Sequence, residues 1–159
     1  MKALMWLFAG LIMTFGCVAE EAAKSTSFPD GTISFAAEST GGGKACSLPL
    51  VTGEHDFKDD DFNCTNDEMS YFKFNQAPST TEVMLQSERC DGEKHKWFFD
   101  IKVYIHNLDT PWIFIGDLAA ANPGDIVKRG IILLKKKVDT EEPYQGKLSC
   151  VTIARSPLP

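Results

Sequence analysis

The amino-acid sequence predicts an all-β protein: a Greek-key β-sandwich of about seven or eight strands, crosslinked by disulfides. Three observations predict this class. Short alternating or β-branched runs recur from Thr32 onward, turn-rich stretches separate them, and four cysteines lie among them. Only the stretch GDLAAANPG, at 116–124, has a composition that suits even one helical turn.

The N-terminal segment has the order of a secretory signal peptide. Lys2 precedes the apolar run ALMWLFAGLIM, and small residues follow at Gly16 and Ala19. The run is too short to span a bilayer. We expect cleavage after Ala19. The alternative is cleavage before Cys17 by a lipoprotein peptidase, which would leave that cysteine acylated. Either route predicts an exported protein, periplasmic or secreted, with a lipid anchor in the second case.

Composition divides the chain into four segments. After the signal peptide at 1–19, a polar tether at 20–31 ends in a Pro-Asp-Gly turn. A β-sandwich domain follows at 32–155, and a short tail at 156–159 completes the sequence. The length that remains after export suits one domain with one core.

Eight runs within the domain are predicted as strands. They are TISFA, CSLPLV, SYFKF, TEVMLQS, KWFFDIKVYIH, PWIFIGDL, DIVKRGIILLKKKV and KLSCVTI. We expect the three lysines of IILLKKK to face water or to protect a sheet edge. The stretches 46–74 and 83–105 are comparable halves, each with a cysteine-containing loop and an aromatic strand. This pattern indicates a duplicated Greek key.

The four cysteines of the domain predict two disulfides, because an even number in an exported chain is typical of a crosslinked scaffold. They are Cys46, Cys64, Cys90 and Cys150. Three pairings are open from sequence alone. We expect Cys46–Cys64, within one half, and Cys90–Cys150, which would tie the C-terminal strand to the domain. A zinc site is disfavoured because no Cys-x-x-Cys spacing occurs.

The chain is acidic, with a formal net charge of −6 at pH 7. Loss of the signal peptide would make it more acidic, since that segment contains Lys2 and no carboxylate. The charge argues against nucleic acid as a partner. An acidic loop, GEHDFKDDD, and the aromatic run at 97–99 are the candidate partner-binding surfaces. The predicted partner-binding residues are Glu54, Asp56, Asp59, Asp60, Trp97 and Phe99.

A polar stretch before the predicted strand SYFKF carries a second candidate site. The sequence Asn66-Asp67-Glu68-Met69-Ser70 resembles the calcium-binding motif of the βγ-crystallin superfamily, in which Tyr71 would replace a final Ser. The resemblance covers 33–103 and includes secreted microbial members. It implies a calcium site with a side-chain oxygen of Asp67, the backbone carbonyl of Glu68 and the hydroxyl of Ser70. In that family a second motif supplies ligands from a paired loop, and the sequence shows no convincing one.

Two other interpretations of this region stay open. One is an acidic turn whose Asn and Asp side chains cap their own backbone. The other is a glycan acceptor at Asn63-Cys64-Thr65, with a cysteine in its middle position. Among cofactors, the sequence suggests only calcium, at the motif 66–70.

No catalytic residues are predicted. The three histidines, His55, His95 and His106, form neither a His-Glu-x-x-His motif nor an i, i+2 pair. A Gly-x-Ser-x-Gly elbow is absent from the sequence, and disulfides would leave no spare thiol in the domain. We therefore predict that the protein is not an enzyme.

Two function classes remain. The first is an exported cell-envelope binding protein, an inhibitor or immunity-type protein that blocks a secreted or delivered enzyme. Its partner would be another envelope or secreted protein, such as a toxin or a peptidase, and membrane contact would require acylated Cys17. The alternative is a calcium-stabilised structural or surface protein of βγ-crystallin type.

Overall fold

The computed structural model describes residues 30–59, 62–92, 96–139 and 141–156. Within these ranges the chain forms ten strands and a 3₁₀-helix, Ile115–Ala120. The strands are β1 Thr32–Ala36, β2 Ala45–Pro49, β3 Gly53–Asp56, β4 Tyr71–Asn75, β5 Thr81–Gln86, β6 Phe98–Val103, β7 Ile113–Phe114, β8 Ile126–Lys128, β9 Ile131–Lys137 and β10 Cys150–Arg155. The predicted signal peptide with Cys17, most of the tether, Asp60, His95 and the last three residues lie outside the described ranges.

The strands form two antiparallel sheets. The smaller sheet has the order β2-β1-β4-β7, and the larger has the order β3-β10-β5-β6-β9-β8. Buried apolar side chains from both sheets form one continuous core, as expected for two sheets that pack face to face. The predicted all-β sandwich is confirmed, with ten strands rather than seven or eight.

The strand order shows a duplicated Greek key. In the first half, β1, β2 and β4 share the smaller sheet, whereas β3 crosses to the larger and pairs with β10. In the second half, β5, β6 and β10 share the larger sheet, whereas β7 crosses to the smaller and pairs with β4. The β8–β9 hairpin is an addition to this plan that extends the larger sheet beside β6.

Period-2 alternation explains which side chains fill the core. Ile33 and Phe35 of β1 are fully buried, as are Phe72 and Phe74 of β4, because residues two apart point to the same face of a strand. Trp97, just before β6, is also fully buried. Each such side chain contributes roughly 1.5–3 kcal/mol by leaving water.

Three segments differ from the strand predictions. The stretch GEHDFKDDD, expected as a loop, begins with β3, because its backbone pairs with β10 despite its polar side chains. In PWIFIGDL only the two residues of β7 are extended, and the 3₁₀-helix follows. The long run DIVKRGIILLKKKV turns at Gly130 to form β8 and β9. Gly130 has φ +90°, and a Cβ there would lie 2.5 Å from Leu108 Cδ1.

The lysines of β9 do not all face water. Lys135 and Lys137 are exposed, as predicted. Lys136 is half-buried, and its Nζ donates hydrogen bonds to the carbonyls of Ala119 and Ala121 at 2.8 and 2.6 Å. A register shift between Asp100 and Ile101 of β6 places Lys136 opposite Phe99, on the inner face. The prediction was therefore wrong for Lys136.

Both predicted disulfides are present. Cys46 of β2 pairs with Cys64, with a Cα–Cα distance of 5.1 Å. Cys90 pairs with Cys150 at the start of β10, with a Cα–Cα distance of 5.2 Å. Two native disulfides indicate an oxidising compartment. In the described part of the chain, no helix has the length and apolarity needed to cross a bilayer.

Candidate functional site

The predicted calcium motif lies at a corner where two loops meet. We call 66–70, before β4, and 145–149, before β10, the paired corner. The N–H of Gly146 donates to Ser70 Oγ at 2.9 Å. Ser149 Oγ lies 3.3 Å from Asp67 Oδ1, but it donates its single proton to the carbonyl of Ser87 at 2.9 Å. The N–H of Asp67 donates to the carbonyl of Leu148 at 3.3 Å. Ser70 is only 1% exposed. The motif therefore fastens the C-terminal loop to the first half.

The duplicated topology identifies 145–149 as the loop equivalent to 66–70, since β10 occupies the place in the second half that β4 occupies in the first. Where the first loop carries Asn66 and Asp67, the second carries Gln145 and Gly146. The paired loop thus presents a backbone N–H to Ser70 instead of an oxygen. Calcium takes six to eight oxygen ligands, and Gly146 has no side-chain oxygen to contribute one.

The charges at the paired corner are mixed. A cleft of about 460 Å³ lies beside Asn66 and Asp67. Its lining includes four basic side chains and three carboxylates: Lys58, Arg89, Lys96, Lys147, Asp67, Glu88 and Glu142. Among the described residues, no group of three or more His, Cys, Asp or Glu side chains could hold a metal. A calcium site at Asp67, Glu68 and Ser70 stays a prediction.

The two other interpretations of this stretch have different geometry. Asp67 adopts φ +57°, a left-handed conformation that Asp tolerates. Its Oδ2 accepts a hydrogen bond from Asn66 Nδ2 at 3.0 Å, so these two side chains bond each other at the turn. Asn63 of the glycan sequon is exposed, and Cys64 is buried in its disulfide. Glycosylation at Asn63 stays a prediction.

The acidic loop is partly neutralised by Arg89. Its Nε donates to Asp56 Oδ2 at 2.8 Å, and its Nη2 contacts Asp59 Oδ2. The N–H of Lys58 also donates to Asp56, at 3.0 Å. Burial acts to raise the pKa of Asp56, but the hydrogen bonds from Arg89 and Lys58 outweigh it and lower that pKa below its ordinary value. Glu54 is exposed.

We expect the Asp56–Arg89 contact to lose its stabilising effect in acid. Because folding lowers the pKa of Asp56, this stabilisation is fully present above the pKa of an unfolded aspartate and is lost as pH falls through the folded value. Urea unfolding of wild type and Asp56→Asn, from neutral pH to about pH 2.5, measures the effect. The difference in the free energy of unfolding between wild type and Asp56→Asn should shrink in acid. A difference in the free energy of unfolding that stays constant across this range would contradict this explanation.

The aromatic part of the predicted partner surface was wrong. Trp97 and Phe99 are both 0% exposed, because they share the inner face with the core. Their rings lie 5.5 Å apart, and each is 5.8 Å from the ring of Tyr144. Phe98 is the half-buried residue on the outer face. An exposed aromatic that the sequence did not single out is Phe62, which is 42% exposed.

A second residue without a sequence signal is Asp100. It lies in the middle of β6 on the outer face of the larger sheet, opposite Met84 and Lys135, and is only 7% exposed. Burial raises the pKa of this carboxyl, and the neighbouring charge of Glu82 adds to the shift. Glu82 is itself bonded to Lys102 at 2.7 Å. Strand alternation would place Asp100 outward, but its burial depends on the neighbouring strands.

No protein-family model matches the chain, and no curated protein sequence matches it. Among solved structures, the chain is similar to two mutant forms of a βγ-crystallin domain from Clostridium beijerinckii. A double mutant is 20% identical with a TM-score of 0.39, over 77% of this chain and 94% of that chain. A single mutant is 17% identical with a TM-score of 0.39, over 77% of this chain and 95% of that chain.

Proposed function

We propose that the β-sandwich is a non-catalytic structural or surface domain of an exported protein, held in shape by its two disulfides and by the paired corner. The observation that carries the proposal is the use of the motif at 66–70. The Ser70 hydroxyl and the Asp67 backbone N–H both hold the C-terminal loop, through Gly146 and Leu148. The Ser70 hydroxyl, which the resemblance assigns to a calcium ligand, holds the chain here.

Covalent and hydrogen-bonded contacts, rather than calcium, stabilise the domain in this role. Each disulfide lies near one side of the corner, since Cys64 precedes the first loop and Cys150 follows the second. Such crosslinks suit a domain that must persist outside the cell, where metal concentrations vary. Export through the signal peptide to the periplasm or the medium, with or without acylated Cys17, is part of the proposal.

Calcium dependence provides the test. We expect the mature chain to unfold at the same temperature in millimolar calcium and in chelator. Replacing Gly146 by Asp should create calcium dependence, because it supplies the carboxylate that the paired loop lacks. A Cβ at Gly146 would have its nearest neighbour, the carbonyl oxygen of Asp67, at 3.4 Å, and Asp tolerates the local φ of +61°. Differential scanning calorimetry of both proteins measures the shift.

The matched control is Gly146→Asn, which adds a side chain of the same size without the charge. A calcium-induced rise in unfolding temperature in the wild type, abolished by Asp67→Ala, would contradict the proposal. That outcome would support the calcium-stabilised alternative instead, because a ligand that binds only the native state stabilises it.

The second candidate is the partner-binding protein that blocks a secreted or delivered enzyme. It is supported by Val51 and Phe62, which are 47% and 42% exposed and flank the acidic loop in sequence. The ring of Phe62 lies 5.5 Å from that of His55 in β3. Aromatic anchors dominate many interfaces. A protein captured from envelope extract in a 1:1 ratio by the wild type, and lost with Phe62→Ala, would favour this candidate over a structural role.

A further inference from the structure

A cavity lined by the segment 105–111 and by Lys128 and Arg129 has the properties of a small-ligand site. It has a volume of about 320 Å³ and lies between the segment 105–111, which connects β6 to β7, and the end of β8. Ile105 and Leu108 contribute apolar surface, and Lys128 and Arg129 contribute positive charge. Small-molecule sites commonly combine an apolar wall with a few polar or charged groups. We call it the 105–111 cavity.

Backbone hydrogen bonds hold the wall of the 105–111 cavity in place. Leu108 and Ala77 exchange two N–H to carbonyl bonds, each of 2.9 Å, and the N–H of Thr110 donates to the carbonyl of Phe74 at 3.1 Å. On the opposite side, the N–H of Tyr104 donates to the carbonyl of Gly130 at 2.9 Å, next to Arg129. A wall ordered before binding reduces the entropy lost when a ligand binds.

The charges of the 105–111 cavity favour an anion. Within the described ranges, Lys128 and Arg129 form no ion pair, whereas Arg89, Lys96, Lys102 and Arg155 each contact a carboxylate. The one acidic residue in the lining is Asp109, whose Oδ1 already accepts the N–H of Gln76 at 2.9 Å. The lining thus holds two cations against one carboxylate. The two cations can bind an anionic oxygen through charge-assisted hydrogen bonds.

We propose that the 105–111 cavity binds an anionic group attached to an apolar body, such as an alkyl phosphate. Lys128 and Arg129 bind the anionic oxygens, and Ile105 and Leu108 pack against the apolar part. A free amphiphilic anion and the headgroup region of an anionic lipid share this chemistry. Two exposed apolar side chains lie close in sequence, Tyr104 just before the 105–111 segment and Ile126 at the start of β8, at 44% and 64% exposed. This activity goes beyond the structural role proposed above.

Calorimetric titration of the mature chain with hexyl phosphate tests the site. We expect the double variant Lys128→Ala/Arg129→Ala to bind at least about tenfold more weakly, a change of about 1.4 kcal/mol. The matched control is Lys135→Ala/Lys137→Ala, which removes the same charge from exposed positions on β9. Hexanol, without the charge, and inorganic phosphate, without the apolar body, should each bind more weakly than hexyl phosphate.

Sedimentation with vesicles of phosphatidylglycerol and of phosphatidylcholine distinguishes the two sources of the anion. Binding to phosphatidylglycerol vesicles that the Lys128/Arg129 variant loses would identify a lipid, and hexyl phosphate binding without vesicle binding would identify a free ligand. Either result supports the site. Absence of binding to both probes at millimolar concentration overturns it, as does an equal loss in the two double variants, since that would reflect general charge attraction. Calorimetric unfolding checks that each variant is folded.

Discussion

Replacement of Cys90 and Cys150 by serine is expected to lower the free energy of unfolding by about 4 kcal/mol, the value that loop-closure entropy gives for a separation of 60 residues. The same replacement of Cys46 and Cys64, 18 residues apart, should lower it by about 3 kcal/mol. The longer loop loses more conformational freedom in the unfolded chain when it is closed. In addition, Cys90–Cys150 holds β10, which pairs with both β3 and β5.

Urea unfolding of the two double variants measures these differences. A total stability of about 5–15 kcal/mol is normal for a domain, so either loss is a large fraction of the whole. If both losses are well below 1 kcal/mol, the disulfides do not maintain the sandwich and the proposed structural role loses its basis. If the Cys46/Cys64 variant is the less stable, contacts of the loop around Cys64 matter more than loop length.

Trp97→Ala is expected to lower the free energy of unfolding by about 3–5 kcal/mol, the range for large aromatic side chains removed from a core. Trp97 is fully buried and packs with Phe99 and Tyr144. The variant would leave a cavity where β6 begins. Trp97→Phe should be milder, because the ring packing is largely kept and no described group accepts a hydrogen bond from the buried indole N–H.

The control for this prediction is the neighbouring Phe98→Ala. Phe98 is half-buried on the outer face, so its removal should lower stability by only about 1 kcal/mol. Urea unfolding of both variants provides the comparison. Equal losses would mean that Trp97 and Phe98 are buried alike and that the inner and outer faces of β6 are wrongly assigned. The comparison also separates core packing from partner binding at residues 97–99. Only a side chain that points outward can belong to an interface and still be removed without unfolding the protein.

The sequence by itself determined the fold class, because strand alternation and turn chemistry are local properties. TISFA is β1, TEVMLQS contains β5, and SYFKF covers β4 except for Asn75. The comparable halves appear in the strand order as two Greek keys. The pairing of Cys46 with Cys64 was expected as a crosslink within one half, and the structure contains this disulfide. The strand β3 had no local signal, since its polar residues are extended only through their pairing with β10.

Only the tertiary structure decided what the polar motif and the charged residues do. Whether Ser70 binds a ligand or the chain depends on Gly146, which is 76 residues away in sequence. Likewise, Arg89 reaches the acidic loop, and Lys128 with Arg129 meets the 105–111 segment, only because non-consecutive strands pack together. Local periodicity specifies which face of a strand is apolar, but it contains no information about which distant group will oppose a given polar atom. Hydrogen-bond and ion-pair partners are set by the three-dimensional arrangement of the two halves, and they determine whether a polar atom is used in the fold or is left open to a ligand.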